Sequence, residues 1–95
     1  MFKNGFYVYI LTNNYNTVLY TGITNNLNKR VREHRDKTGG KFTAKYNVHK
    51  LVYFECFVYA NDAIAREKQI KSGSRQKKID LIERTNKNWE DLFPI

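Results

Sequence analysis

Two short runs of β-branched and aromatic residues, Phe6–Thr12 and residues 18–21, are joined by Asn13, Asn14, Tyr15, Asn16 and Thr17. Val, Ile, Phe and Tyr fit a pleated surface, whereas Asn and Thr side chains bond to nearby backbone and tolerate turn geometry. The chain is therefore committed to an early β-hairpin. Gly22 ends the returning strand, at a point where the backbone must approach another group closely. The hydrophobic period then changes from two to 3.6. Asn25 or Asn26 is suited to cap a helix in which Leu27, Arg30, Val31 and His34 fall at i, i+3, i+4 and i+7 and share a face. Leu27 and Val31 anchor that face, and Arg30 and His34 are carried at the edge of the core, toward the sheet.

Further along, Gly39 and Gly40 end the basic segment, and residues 37–46 read as a loop. Residues 50–58 alternate as a third strand, with Val52, Phe54, Cys56 and Val58 as the expected core-facing set. Asn61 or Asp62 is expected to cap a helix over residues 63–72, with Gly73 at its end. Ser74 is expected to cap a last helix through Glu83, offering Ile79 and Ile82 to the core, and Trp89, Leu92 and Phe93 to dock the tail. The expected fold class is α+β (α/β in the broad sense): a central three-stranded antiparallel sheet flanked by helices.

Ninety-five residues suggest one domain, 1–95, with a modest core. Cys56 is the sole cysteine, so no internal disulfide forms, and no Cys/His cluster offers structural zinc. No long apolar run marks a signal peptide or membrane span, so a cytoplasmic setting is expected. Seventeen Lys and Arg against nine Asp and Glu leave a net charge of +8. A polyanion is the simplest partner for such a balance. A membrane surface fits less well, because the basic residues are spread along the chain instead of lying on one amphipathic helix.

Tyr7-Val8-Tyr9, Tyr20-Thr21-Gly22, the stretch from Gly22 through Arg30 to His34, and the segment from Ala65 to Lys71 stand in an order and spacing that resemble the GIY-YIG nuclease family. The likeness is to its small stand-alone members, the excinuclease-subunit-C-like or YhbQ-like group, and it extends from about Phe6 to Leu92. One departure is Tyr7, which stands where the family's first glycine would be.

The resemblance implies a divalent-metal-dependent endonuclease acting on DNA phosphodiester bonds in repair or recombination. It implies Tyr9, Tyr20, Arg30 and His34 as the catalytic set and Glu67 as the metal ligand. Tyr20 would be the general base, although a phenol is a weak base near neutral pH without a neighbouring positive charge. Tyr9 would support it, and His34 would polarise the attacking water or orient Tyr20. Arg30 would stabilise charge on the scissile phosphate. Glu67 would hold Mg²⁺ or Mn²⁺ with water and phosphate oxygens completing the shell. On position alone, Glu67 is equally a salt-bridge partner for Lys71 one turn on, and the tyrosines are equally packing residues. Asn86 corresponds loosely to a family asparagine, and His49 to no motif. No attached DNA-binding domain is evident, so targeting would be weak or supplied by a protein partner. The alternatives are a non-catalytic nucleic-acid-binding module and an interaction domain of a repair complex.

Overall fold

In the computed structural model, which describes residues 5–95, three strands and four helices follow in the order β1 (Phe6–Thr12), β2 (Leu19–Thr24), α1 (Leu27–Arg35), α2 (Lys41–Lys45), β3 (Lys50–Phe57), α3 (Ala60–Ser72) and α4 (Arg75–Thr85). β1 is central and pairs antiparallel with both neighbours, giving the strand order β2-β1-β3. The turn between β1 and β2 is held by Asn13, whose Oδ1 accepts from the Thr17 and Val18 amides while its Nδ2 donates to Thr17 Oγ1.

The sheet is covered on both faces. Alternation along β1 sends Tyr7, Tyr9 and Leu11 to one side, where they pack with Leu27 and Val31 of α1, Val48 and Leu51. Val8 and Ile10 go to the other side and meet Val52, Tyr53, Ala63 and Ile70 of α3, and Ile82 of α4. The C-terminal tail adds to both layers. Trp89 packs on the second cluster, and Leu92, Phe93 and Ile95 on the first. The tail is pinned where the Leu92 amide donates to the Leu51 carbonyl (2.8 Å) and where Asn28 and Ile95 exchange two hydrogen bonds.

Several sequence expectations need correction. β2 continues to Thr24, so Gly22 lies inside the strand, opposite Tyr9, and does not end it. Residues 41–45, expected as loop, form a helical turn. In β3 the register shifts beside Ile10 and Leu11, and the alternation breaks: Leu51, Val52 and Tyr53 are buried in succession. Such an irregularity puts consecutive side chains into the core. Cys56 lies opposite Tyr7 toward the end of this edge strand and is exposed, not a core residue, and Val58 is exposed too. α3 starts at Ala60 with Tyr59 at the N-cap and no side-chain cap bond, so Asn61 and Asp62 belong to its first turn. α4 runs to Thr85, beyond Glu83. Ser74 caps it as expected, accepting from the Lys77 amide. No helix among the described residues is long and apolar enough to cross a membrane.

Candidate active site

β1, β2, α1 and α2 bring Tyr9, Tyr20, Arg30 and His34 to one face of the sheet. Asn26 starts α1, its side chain accepting from the Lys29 amide. The face then develops as its spacing requires: Leu27, Val31 and His34 are buried, and Arg30 emerges at the rim with its side chain one-third exposed.

His34 is the hub. Its Nε2 lies 3.1 Å from the Tyr9 hydroxyl and its Nδ1 3.0 Å from Thr43 Oγ1. Thr43 donates its own hydrogen to the Gly40 carbonyl. The hydroxyl must therefore accept from Nδ1–H, which leaves Nε2 of a neutral ring to accept from Tyr9. A directed chain results, from Tyr9 to His34 to Thr43 to the Gly40 carbonyl. Burial, and second the charge of Arg30, lower the His34 pKa from 6.5 to about 4, with Glu33 offsetting part of the effect. The imidazole is thus neutral at pH 7, as the chain of bonds requires. Burial, and second the proximity of Tyr20, push the Tyr9 phenol from 10 up to about 12 despite the Arg30 guanidinium beside it. Tyr9 is therefore a proton donor held in place and not a free base.

Two glycines make room for this arrangement. A Cβ on Gly22 would lie 2.4 Å from the Tyr9 oxygen, and one on Gly39 would lie 2.7 Å from His34 Nδ1. Bare backbone is needed at both places. The Gly39 carbonyl also accepts from Arg30 Nη2 at 2.8 Å, while Arg30 Nη1 donates to Glu33 Oε1 at 3.1 Å. These bonds orient the guanidinium and leave donors unused among its five N–H groups.

Tyr20 is placed differently. Its ring lies edge-on to His34 (5.4 Å between centroids), tilted to Tyr9 (6.4 Å) and stacked on Phe42 (6.1 Å). Among the described residues its hydroxyl has no hydrogen-bond partner. The ring is half-buried, so the hydroxyl is the group of this cluster available to an incoming molecule.

Glu67 has no hydrogen bond or ion pair to this cluster among the described residues. It lies on α3, whose Ala63 and Ile70 pack on the second core face and which runs against β1 and the edge strand β2, the strand that carries Tyr20. Ala63 and Ile70 on either side of it along the helix are buried, whereas Ile64 is exposed. The Glu67 side chain is only 14% exposed, and its Oε2 meets Lys71 Nζ at 3.0 Å. The pairing anticipated from sequence is therefore formed. Lys71 is 56% exposed, so the lysine side of the pair is open to solvent. No group of three or more His, Cys, Asp or Glu among the described residues is arranged to hold a metal. A lone carboxylate is nevertheless a donor set that suits Mg²⁺ or Mn²⁺ when water and phosphate oxygens fill the remaining positions.

Sequence reasoning missed Thr43, Phe42 and Gly39. Thr43 and Phe42 fall in a stretch without clear periodicity, and the Gly39-Gly40 pair is readable only as a helix end. Asn86 proves structural: it is buried, donates to the Val52 and Glu90 carbonyls, and accepts from the Glu90 amide. The His49 amide donates to the Thr12 carbonyl at the start of β3.

The family model described as the GIY-YIG catalytic domain matches residues 5–80. A UPF0213 protein of Haloquadratum walsbyi is 44% identical over 77 residues, covering 81% of this chain and 85% of that one. A UPF0213 protein of Pediococcus pentosaceus is 41% identical over 89 residues, covering 94% and 93%. The solution structure of a UPF0213 protein from Bacillus halodurans superposes with a TM-score of 0.59 at 30% identity, over 92% of each chain.

Proposed function

The chain belongs to the GIY-YIG family, and from that premise we propose that it is a divalent-metal-dependent endonuclease that hydrolyses DNA phosphodiester bonds in repair or recombination. The observation that carries this reading is the hydrogen-bonded chain from Tyr9 through His34 to Thr43, with Arg30 fixed beside it and the Tyr20 hydroxyl open. A merely structural tyrosine cluster has no need of an oriented guanidinium with spare donors at its rim.

In this reading Tyr20 gives its own proton to solvent beforehand and, as phenolate, receives the proton of the attacking water. Tyr9 holds the attacking water by accepting a hydrogen bond from it, because its own proton is committed to His34. His34 acts through Tyr9 as a positioning residue, its tautomer set by Thr43. Arg30 offers two N–H groups to the phosphate oxygens, a bidentate contact that strengthens as charge builds on the scissile group. Glu67 would hold the cation, which supplies Lewis-acid polarisation of the phosphate and the leaving oxygen when bound. The net charge of +8 favours a polyanionic substrate.

Substitution of Arg30 by alanine tests the assignment. An interaction made mainly in the transition state appears in kcat. Single-turnover cleavage of a labelled oligonucleotide duplex is expected to slow by roughly 10²–10³-fold, the scale seen when one such donor is removed, with binding nearly unchanged. Normal turnover with weaker binding would reduce Arg30 to an ordinary phosphate contact.

A further inference from the structure

On the face of the sheet away from the tyrosines, α3 and α4 diverge to leave a cleft of about 530 Å³. Its walls carry Arg66 and Gln69 from α3, and Lys77, Lys78, Asp80 and Arg84 from α4. The charges are poorly balanced. Arg66 is neutralised by Glu55, which it grips with Nε and Nη2 (2.9–3.1 Å). Asp80, the acidic residue of the lining, is bonded to Gln76. Lys78 donates only to the Lys71 and Gly73 carbonyls, and Lys77 and Arg84 have no side-chain partner among the described residues. With Arg66 paired, three cations face the one carboxylate of the lining, Asp80, so the groove keeps an excess of two positive charges, whose repulsion works against the fold unless a polyanion is present.

From this arrangement we infer that the α3–α4 groove is a second nucleic-acid contact, which grips the phosphodiester backbone at a distance from the tyrosine cluster. This inference rests on the endonuclease reading for its ligand class but not for its test. The groove lacks aromatic side chains and has few acceptors, so it suits backbone phosphates and is poorly equipped to read bases. α3 gives Arg66 and Gln69 to the groove and carries Glu67 between them, so a strand lying along this helix passes both. The groove would help retain the nucleic acid on this domain while the cluster acts.

The test is equilibrium binding of the full chain to a fluorescent duplex in chelator, where no cleavage occurs, at several salt concentrations. The variant Lys77→Gln/Lys78→Gln/Arg84→Gln is compared with a charge-matched control, Lys29→Gln/Lys68→Gln/Lys87→Gln, whose positions are exposed and outside the groove. Circular dichroism melts check that both fold. The groove variant is expected to bind on the order of tenfold or more weakly, and its log–log salt slope to fall by roughly 2–3, at about 0.9 for each phosphate no longer neutralised. The control is expected to change far less. Equal losses in the two variants would overturn the inference, because net charge alone would then explain binding. Unchanged duplex affinity, with a polyglutamate peptide bound through the groove instead, would overturn it in favour of an acidic protein partner. A groove-dependent affinity in a chain that never cleaves DNA would uphold the inference and count against only the endonuclease reading.

Discussion

Gly22→Ala is the substitution whose cost follows most directly from the geometry. The new methyl would sit 2.4 Å from the Tyr9 oxygen and 2.5 Å from Tyr9 Cζ, well inside contact distance. Tyr9 is buried in the tyrosine-face core and bonded to His34, so its ring has no vacant space to enter. Overpacking of this kind costs about 1–3 kcal/mol. Levering the hydroxyl off His34 Nε2 adds about 1 kcal/mol. The expected loss is therefore about 2–4 kcal/mol, a fall in melting temperature of roughly 10–30 °C for a domain of this size. Thermal and urea unfolding measure it. The same substitution in a Tyr9→Leu background, which lacks both clashing atoms, isolates the cause through a double-mutant cycle. There Gly22→Ala is expected to cost less than about 1 kcal/mol. A small cost in the wild-type background, or an equal cost in both, would refute the claim that Gly22 exists to admit the Tyr9 hydroxyl.

Other outcomes follow from the same cluster. His34 is held neutral with a pKa near 4, below its unfolded value of 6.5, so the unfolded chain binds a proton first as pH falls. Stability is expected to be full above pH 6.5 and to decline by about 3 kcal/mol down to pH 4 on this account, and a His34→Gln variant whose urea midpoint falls just as steeply over that range would exclude His34 as the cause. Tyr20→Phe is expected to leave the melting temperature within a degree or two of wild type, because the hydroxyl has no partner to lose, yet to suppress cleavage. Tyr9→Phe, by contrast, is expected to destabilise by about 1–2 kcal/mol by leaving His34 Nε2 unpaired, and identical stability of the two variants would contradict the hydrogen-bond assignment.

The hairpin, the first helix and the sharing of a face by Leu27, Val31 and His34 are legible in the sequence because local patterning and tertiary burial agree there. The third strand is harder. Its alternation is readable, but the register shift beside Leu11 is a property of the pairing with β1, and this shift buries three residues in a row. Cys56 escapes sequence reasoning for the related reason that exposure at a sheet edge depends on which elements cover it. At the candidate site, motif order proposes Tyr9, Tyr20, Arg30 and His34 but not what joins them. Thr43 decides the His34 tautomer across a separation of nine residues, through a segment with no helical signature of its own. Glu67 is recognisable as a carboxylate on an apolar stripe, and its sequence neighbour Lys71 proves to be its partner. Whether it also holds a cation is a question of competition that side-chain spacing does not answer.

That question is met most directly by following supercoiled plasmid with the wild-type chain and a Glu67→Ala variant, each in Mg²⁺, in Mn²⁺ and in chelator. Nicking and linearisation by the wild type in either metal, their absence in chelator, and their loss in a Glu67→Ala variant that melts normally are the expected results. A folded wild-type chain that leaves the plasmid intact in both metals, or a Glu67→Ala variant that cleaves as fast as wild type, would contradict the account.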